Sequence, residues 1–432
     1  IMKNGREVYI VDGSRTPQLK ARGTTGPFSA SDLAVSAGRA LLMRHNFDLA
    51  DLDEVILGCV NPSENEANIG RVVSLRLGIP QTVPAWTVQR NCASGMQSID
   101  SATHNIASGQ SELVLTGGVE AMSRAPVLHN KTMVDWLGQM MMTKTMGQKL
   151  SHFLKLRPGH LKPVIALLRG LTDPVVGLNM GQTAENIAAR FDISRNQMDS
   201  FAVASHHRLA AAHDAGYLDE IEVLYDTQGK FYDHDDGVRK DSSVEKLAKL
   251  RPAFDKKYGN VTAGNSAQIT DGAAMLLLAS EDAVRKHELP VIAKIVDTEW
   301  AGLDPAVMGM GPVHAMTPIM NRNELSIEDI DYWEINEAFA TQVLGCVEAW
   351  KDDDYCKAEL GQEKAFGEIP HDRLNIDGGG ISLGHPVGAS GARIVLHLAK
   401  ILQRHKARRG MASLCIGGGQ GGAMLLEYVS DI

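Results

Sequence analysis

Four polar residues in this sequence each lie in a turn of small residues, where a substrate could reach them. The first is Cys92, in TVQRNCASGMQSIDSATHNI, where Ala, Ser and Gly predict a helix that begins just after the cysteine. A thiol at a helix N-terminus feels the positive end of the helix dipole, which lowers the thiol pKa and favours the thiolate. Small neighbours leave room for a substrate, so Cys92 is a candidate nucleophile. The alternative is an inert buried cysteine, the commoner role of this residue type.

The second and third residues are His385 and Asn336. His385 lies in GISLGHPVGASG, between glycine-rich stretches and just before a predicted helix. It could act as a general base or as a donor to an oxyanion; the alternative is a histidine satisfied by local backbone groups. Asn336, in YWEINEAFATQ, falls at a predicted strand-to-helix junction. Its amide could hold a water or an oxyanion, or it could simply cap the helix.

The fourth residue is Cys415, at the end of an apolar strand in SLCIGGGQGG. The glycine run that starts at Gly417 could bind a developing oxyanion through its backbone N–H groups. Two cysteines, one histidine and one asparagine in such turns suit carbon–carbon chemistry on thioesters. One thiolate would carry the acyl group, and the second thiol would exchange the proton at the α-carbon.

The elements around these residues predict an α/β fold. Short apolar runs such as EVYIVDG and SELVLTGG indicate strands, and they alternate with amphipathic stretches such as SDLAVSAGRALLMRH. Both ends of the chain contain an ASG helix start followed by a strand that ends in glycines. We interpret this as a duplicated α/β unit whose two small-residue helices lie side by side in the centre; chance similarity is the alternative. Thr183, in QTAEN, is predicted to cap the helix that follows it.

The composition narrows the classes of function. The chain has 432 residues, which predicts more than one domain-sized unit, and its formal net charge of −9 argues against nucleic-acid binding. Its five scattered cysteines show neither a CxxC motif nor zinc-site spacing, which argues against disulfides and a structural metal. With no leader-like or membrane-spanning apolar run in the sequence, we expect a cytoplasmic, reducing location.

Residues 131–170 differ from the rest of the chain. Seven Lys and Arg against a single Asp give this segment a formal charge of +6, which leaves −15 for the remainder. The segment is also rich in Met and Leu. Such a basic amphipathic stretch could lie on an anionic membrane, or receive a partner or an acyl chain. The alternative is a solvated insertion over a substrate pocket.

Taken in order, these motifs resemble those of the thiolases, acyl-CoA acyltransferases that make or cleave 3-ketoacyl-CoA. The resemblance runs from SRTP through NCASG, GGVEAMS, MGQTAEN, LRPAF, VTAGNSAQITDGAA, MGMGP and NEAFA to GHPVGASGAR and CIGGGQGGA. It implies a five-layer αβαβα fold of two duplicated halves with an inserted loop domain. The N-terminal half is expected over residues 1–120 and about 261–285, the loop domain over 121–260 and the C-terminal half over 286–432.

The resemblance also implies roles for single residues. Cys92 resembles the acylated nucleophile and His385 the base that activates it and helps to hold the thioester oxygen. Cys415 resembles the acid and base at the α-carbon, and Asn336 the residue that fixes a water in the first oxyanion hole. The N–H groups of Cys92 and Gly417 would form the second oxyanion hole.

A coenzyme A site is implied as well, with CoA and acyl-CoA as substrates and with no metal or other cofactor. The expected contacts are a loop-domain arginine near the nucleotide, two tunnel methionines, the aromatic residue of NEAFA and the turn after the pantetheine: Arg239, Met180, Met308, Phe339, Gly264, Ser266 and Ala267. Many thiolases have a serine where Ala267 stands.

The expected activity is cleavage of 3-ketoacyl-CoA by CoA in fatty-acid β-oxidation; the alternative is condensation of two acetyl-CoA molecules. The insertion between Ser123 and Leu171 resembles that of thiolase subunits from membrane-associated fatty-acid oxidation complexes. Those subunits usually carry His in place of Asn336, so the acyl chain length stays open.

Other assignments follow from the same resemblance. We expect a homodimer or homotetramer, with a hydratase/dehydrogenase subunit as a further candidate partner and peripheral membrane contact through residues 131–170. A 3-ketoacyl synthase is disfavoured because synthases pair Cys with two histidines. A non-catalytic lipid-binding protein is disfavoured because Cys92, His385 and Cys415 are all present.

Overall fold

The computed structural model describes residues 5–430. Its strands are β1 Val8–Arg15, β2 Leu19–Lys20, β3 Glu54–Gly58, β4 Ala85–Val88, β5 Leu113–Ala121, β6 Val127–His129, β7 Pro163–Ile165, β8 Leu224–Tyr225, β9 Phe231–Tyr232, β10 Thr270–Ser280, β11 Ala293–Gly302, β12 Tyr332–Ile335, β13 Arg409–Ile416 and β14 Gln420–Tyr428. Its α-helices are α1 Ala30–Met43, α2 Ile69–Arg76, α3 Ser94–Ala107, α4 Lys131–Met141, α5 Met146–Phe153, α6 Ala166–Gly170, α7 Met180–Arg190, α8 Arg195–Asp214, α9 Val244–Ala248, α10 Glu281–His287, α11 Gly311–Arg322, α12 Ala340–Lys351, α13 Asp353–Leu360, α14 Gly380–Leu383 and α15 Val387–His405.

Ten strands form one mixed sheet in the order β12-β13-β14-β11-β1-β10-β5-β3-β4, with β2 beside β10. The two halves of the chain meet where β1 pairs antiparallel with β11 over residues 8–10 and 293–295. Strand β3 runs parallel to β4 and β5, and β12 runs parallel to β13. The alternation of these strands with helices confirms the predicted α/β class.

The strands separate three layers of helices. In β5, Leu113 and Leu115 belong to the core beneath α1 and α2, whereas Val114 between them faces the core around α3 and α15. In β13, Leu414 faces this same central core, and Cys415 faces the core of α11 and α12. Because successive side chains of a strand point to opposite faces, both halves of the sheet are covered on two sides. The result is the expected order of helix, strand, helix, strand and helix.

The two small-residue helices, α3 and α15, pack against each other in the centre, as predicted. A Cβ atom on Gly95 of α3 would lie 2.8 Å from the backbone nitrogen of Ala392, and one on Gly391 of α15 would lie 2.6 Å from that of Met96. Neither approach leaves room for a side chain. The glycines therefore let the two helix backbones touch.

The predicted cap of α7 is wrong by four residues. The helix is capped by Asn179, whose side chain accepts from the backbone N–H of Gln182, while Gln182 bonds back to Asn179. Thr183 lies inside the first turn, and its hydroxyl donates to the carbonyl of Met180. Asn179 and Gln182 thus form the reciprocal capping box that the sequence analysis placed four residues later, at Thr183.

The central contact gives a test of the packing. Gly391→Ala should lower the stability of the protein by about 1–3 kcal/mol, because the new methyl group meets the backbone of Met96. Gly138→Ala is the matched control, since Gly138 also lies inside a helix but has open space around it. It should leave the melting temperature unchanged or raise it slightly. Equal melting temperatures for the two variants in scanning calorimetry would contradict the close approach of α3 and α15.

Candidate active site

A cavity of about 720 Å³ lies where the two halves meet residues 121–260. Cys92 from the N-terminal half and His385 and Cys415 from the C-terminal half all line it. Most of the other lining side chains are apolar. The structure thus brings together three residues that are far apart in the sequence, on one water-poor surface.

The Cys92 thiol lies at the entrance to α3, just before the N-cap residue Ala93. Asn91 holds this turn: its φ of 43° is left-handed, and its Nδ2 donates to the carbonyl of Gly417 at 2.9 Å. Burial raises the pKa of Cys92, and the backbone N–H groups of Gly417 and of Cys92 itself, which point at the sulfur, offset only part of that rise. The expected low pKa of this thiol is therefore wrong: desolvation outweighs the helix terminus.

His385 is buried and neutral. Its Nδ1 lies 2.6 Å from Oγ of Ser390, and that hydroxyl also lies 3.0 Å from the carbonyl of Pro386. Because the carbonyl can only accept, we assign Nδ1–H as the donor to Ser390, which leaves the lone pair on Nε2. Burial lowers the pKa of His385 to about 4, and the charge of Arg393 lowers it further in the same direction.

Asn336 lies behind the imidazole, in the turn between β12 and α12. Its Nδ2 is 3.4 Å and 3.5 Å from the two ring nitrogens of His385, and its backbone N–H donates to the carbonyl of Ser413 within β13. Its buried Oδ1 accepts no hydrogen bond from residues 5–430. An uncommitted buried oxygen beside the ring suits the predicted contact with a water.

Cys415 is buried at the end of β13, and the turn of Gly417, Gly418 and Gly419 follows it. Burial raises the pKa of Cys415 well above its ordinary value, and the neighbouring thiol of Cys92 raises it further. A neutral thiol of this kind can give a proton. Gly417 itself does not line the cavity, but its N–H reaches the sulfur of Cys92.

Two buried carboxylates to which the sequence analysis gave no role hold the loops of the site. Glu337 accepts hydrogen bonds from Ser205, Asn375 and the backbone of Ile381, so it joins the NEAFA turn to the segment before His385. The sequence hardly predicts a structural role for either carboxylate, because an acidic residue beside a small-residue motif is usually exposed to solvent.

Glu120, at the end of β5, is the second of these carboxylates. It accepts from the backbone N–H groups of Val60 and Asn61 at 2.9 Å and of Gly388 at 3.0 Å. Gly388 lies in the first turn of α15, so Glu120 ties the N-terminal half to the helix that follows His385. Burial raises the pKa of Glu120 to about 7 despite these three donors.

Five of the seven predicted coenzyme A contacts line the same cavity: Met180, Met308, Phe339, Ser266 and Ala267. The segment 266–267 is held against the NEAFA turn, since the N–H of Ala267 donates to the carbonyl of Ala338 at 2.9 Å. Phe339 packs edge-on against Phe254, which also lines the cavity.

The other two predicted contacts lie outside the cavity lining. Gly264 packs against Leu247 and Leu250. Arg239 is exposed. Burial lowers the pKa of Lys20, which does line the cavity, and the charge of Arg239 lowers it further. Arg239 is therefore close to the rim of the cavity.

The structure adds lining residues that no motif singled out. Gln268 donates its amide to the carbonyls of Gly237 and Ile381 and follows the predicted Ser266–Ala267 turn directly. Leu168 lies near the end of the basic segment 131–170, and Leu171 follows that segment directly. This insertion therefore forms part of the cavity wall. This contact is compatible with two alternatives that the sequence left open for the segment, an acyl-chain contact and an insertion over a substrate pocket.

Comparison with known proteins agrees with this geometry. The family model for the thiolase N-terminal domain matches residues 8–282, and that for the thiolase C-terminal domain matches residues 289–428. The β-ketoadipyl-CoA thiolase of Pseudomonas aeruginosa is 38% identical over 98% of this chain and 100% of its own. The crystal structure of human mitochondrial 3-ketoacyl-CoA thiolase in complex with CoA superposes with a TM-score of 0.84, at 35% identity over 98% of both chains. The structure of the acetyl-CoA acetyltransferase from Syntrophomonas wolfei has a TM-score of 0.85, at 34% identity over 99% of this chain and 100% of its own. On this evidence the chain belongs to the thiolase family.

Proposed function

We propose that this thiolase cleaves 3-ketoacyl-CoA with CoA, to give acetyl-CoA and a shortened acyl-CoA, through an acyl group carried on Cys92. The observation that carries the proposal is the presence of two thiols and a neutral imidazole, Cys92, Cys415 and His385, on one cavity wall. The order of events below follows from their protonation states.

The first step forms the acyl-enzyme. Nε2 of His385 takes the proton of Cys92, and the thiolate attacks the 3-keto carbon of the substrate. The bond between C2 and C3 breaks, and the electron pair passes into the enolate of acetyl-CoA. The protonated ring of His385, with a water held on Oδ1 of Asn336, donates to the enolate oxygen, while the N–H groups of Cys92 and Gly417 donate to the oxygen of the acyl group.

The second and third steps complete the turnover. The Cys415 thiol gives its proton to C2 of the enolate, so acetyl-CoA leaves and a Cys415 thiolate remains. That thiolate takes the proton of the incoming CoA thiol, whose sulfur attacks the acyl thioester. The thiolate of Cys92 departs and regains its proton from His385. Each residue ends in its starting state, so the same site also runs the reverse condensation.

We further propose that the substrates belong to fatty-acid β-oxidation. The apolar cavity and the similarity to human mitochondrial 3-ketoacyl-CoA thiolase support this proposal. The alternative, condensation of two acetyl-CoA molecules to acetoacetyl-CoA, is favoured by the similarity to the acetyl-CoA acetyltransferase of Syntrophomonas wolfei.

Thiolysis rates against acyl chain length separate the two activities. We expect acetoacetyl-CoA, 3-ketooctanoyl-CoA and 3-ketopalmitoyl-CoA all to be cleaved, because the cavity wall extends through Leu168 and Leu171. Cleavage of acetoacetyl-CoA alone would support the acetyltransferase, and a preference for 3-ketoadipyl-CoA would link the protein to the class of its Pseudomonas relative. The Cys92→Ala variant is the background control; if it retained CoA-dependent cleavage, the acyl-Cys92 route would be wrong.

Substitution of Cys415 should affect thiolysis and proton exchange without preventing alkylation of Cys92. Cys415→Ser should lower the thiolysis rate by about 10²–10⁴-fold, because a hydroxyl is a poor acid and base here, while Cys92 still reacts with iodoacetamide. The same variant should lose exchange of the acetyl-CoA methyl protons with deuterated water. Cys356→Ser is the matched control, since that buried thiol lies on α13, outside the cavity, and it should retain near-normal rates. Normal proton exchange in Cys415→Ser would remove Cys415 from the proposed role.

The pH dependence of Cys92 alkylation follows from its raised pKa. At neutral pH the thiol is mostly protonated, so the rate of labelling by iodoacetamide should climb about tenfold per pH unit and level off only above pH 9. Cys92 should still label before the other four cysteines, because it is partly exposed and they are fully buried. Mass spectrometry of partly labelled protein measures both. A plateau already reached near neutral pH would contradict the desolvated thiol.

A further inference from the structure

Gln268 contacts two separate parts of the active site through one amide group. It lies on the cavity wall, just before β10. Its Nε2 donates to the carbonyl of Gly237 at 3.2 Å and to the carbonyl of Ile381 at 3.1 Å. Gly237 lies two residues before Arg239, in the loop at the rim of the cavity. Ile381 lies in α14, four residues before His385. One side chain thus joins the rim of the cavity to the segment that carries the proposed base.

The main chain of Gln268 also contacts His385 directly. The N–H of His385 donates to the carbonyl of Gln268 at 3.3 Å, and the hydroxyl of Thr270 donates to the same oxygen at 2.7 Å. The short segment from Ile381 to His385 is therefore held at both ends by one residue. The atom proposed to take the proton of Cys92, Nε2 of the imidazole, belongs to the last residue of this segment.

Two glycines leave the space that these contacts need. A Cβ atom on Gly237 would lie 2.9 Å from Oε1 of Gln268, so a methyl group there would displace the amide. Gly384 has a φ of 107°, which favours glycine, and a Cβ atom there would lie 2.1 Å from the hydroxyl oxygen of Thr270. The turn before His385 therefore packs directly against the start of β10.

The two carbonyls also determine which way the amide of Gln268 points. A carbonyl oxygen can only accept, so the NH2 group faces both of them and Oε1 faces away. Oε1 is buried and accepts no hydrogen bond from any residue between 5 and 430. A buried polar atom without a partner costs about 1–3 kcal/mol. This cost offsets part of what the two donated bonds contribute, so stability alone does not account for the amide.

The loop on the other side of the contact is itself firmly held. The two carboxylate oxygens of Asp235 accept from the guanidinium of Arg15 at 2.8 Å and 2.9 Å, and both side chains are buried. At the other end of the loop, the N–H of Arg239 donates to Nδ1 of His206 at 3.0 Å. Gly237 lies between these two anchors. Its carbonyl is therefore a fixed point to which Gln268 can bind.

We propose that Gln268 is a positioning residue for the thiolase reaction, which holds the segment before His385 against the loop 235–239 and so sets the place of the imidazole in the cavity. Gln268 takes no proton in the proposed mechanism and acts only through His385. A displacement of a catalytic group by about 1 Å can lower a rate by about a hundredfold. The proposal rests on the proposed role of His385 as the base.

Two substitutions of nearly equal size test the role of the amide in turnover. Gln268→Met removes both donors, and Gln268→Glu places a carboxylate against both carbonyls. Each should lower kcat for thiolysis of acetoacetyl-CoA by about 10–100-fold and raise the KM for this substrate by less than about threefold, because the cavity wall is kept while the base is displaced. Rates are expressed per Cys92 that reacts with iodoacetamide, so a smaller folded fraction does not lower them.

Hydrogen–deuterium exchange measures the positioning without any turnover. In Gln268→Met, the backbone amides of residues 380–385 should exchange faster than in the parent protein. The loop 235–239 should exchange at the parent rate, because it is anchored by Arg15 and His206. General loosening of the fold would instead speed exchange in both segments, and this result would overturn the proposal.

A third variant tests the same contact from the loop, with Gln268 left in place. Gly237→Ala should displace the amide and lower kcat in the same way. Gln110→Met is the matched control, since Gln110 is exposed in the turn after α3, and it should keep the parent kcat and exchange rates.

The outcomes separate this proposal from the proposed function. If the parent protein cleaves acetoacetyl-CoA and Gln268→Met cleaves it within about twofold of the parent kcat, the positioning role is wrong and the thiolase activity stands. Parent-like exchange of residues 380–385 in Gln268→Met would also overturn the positioning role. Absence of thiolysis by the parent protein with every 3-ketoacyl-CoA would overturn the proposed function, and the role of Gln268 in it.

Discussion

The backbone contact between α3 and α15 is the constraint on which the rest of the structure depends. Helices with ordinary side chains pack with their axes 8–10 Å apart. Glycines at 95 and 391 remove the side chains from this contact, so the two helices touch directly. Cys92 and His385 lie just before the first turns of these helices. The spacing of two buried helices in the centre of the molecule therefore sets the spacing of the proposed nucleophile and the proposed base.

Burial then decides the electrostatics of the site. The positive end of a helix stabilises a nearby negative charge by about 0.3–2 kcal/mol and so lowers a thiol pKa only modestly. Full burial disfavours the charged form and can raise a thiol pKa by up to several units. The raised pKa of Cys92 and the lowered pKa of His385 both follow from this imbalance. Both groups are therefore neutral near pH 7. In the proposed mechanism, charge develops on them only when the thiol attacks the substrate carbonyl. We therefore expect the thiol to react only slowly with other electrophiles near neutral pH.

Much of the site was predictable because its residues lie in local motifs. Cys92 and His385 each stand in a small-residue turn, and Cys415 lies near the end of a strand directly before one, so local sequence marks all three. The role of Glu120 was not predictable, because its hydrogen-bond partners lie 59 to 268 residues away along the chain and no local pattern records them. The pKa of Cys92 was predicted with the wrong sign for a related reason: the helix start can be read from the sequence, but the depth of burial cannot. The fold class and the central helix pair followed from periodicity and from the repeated ASG starts.

The duplication has a consequence for how the chain can change over time. Its two central helices are counterparts, yet the proposed nucleophile precedes one and the proposed base precedes the other, so neither copy holds the complete proposed set of reactive groups. A substitution on the contact face of α3 is felt directly by α15, and the carboxylate of Glu120 carries the same dependence from β5 to the turn after His385. The copies are thus free to diverge on their outer layers but must evolve together at their shared face. Because the proposed reactive groups are split between the two copies, neither half of the chain could form the site without the other.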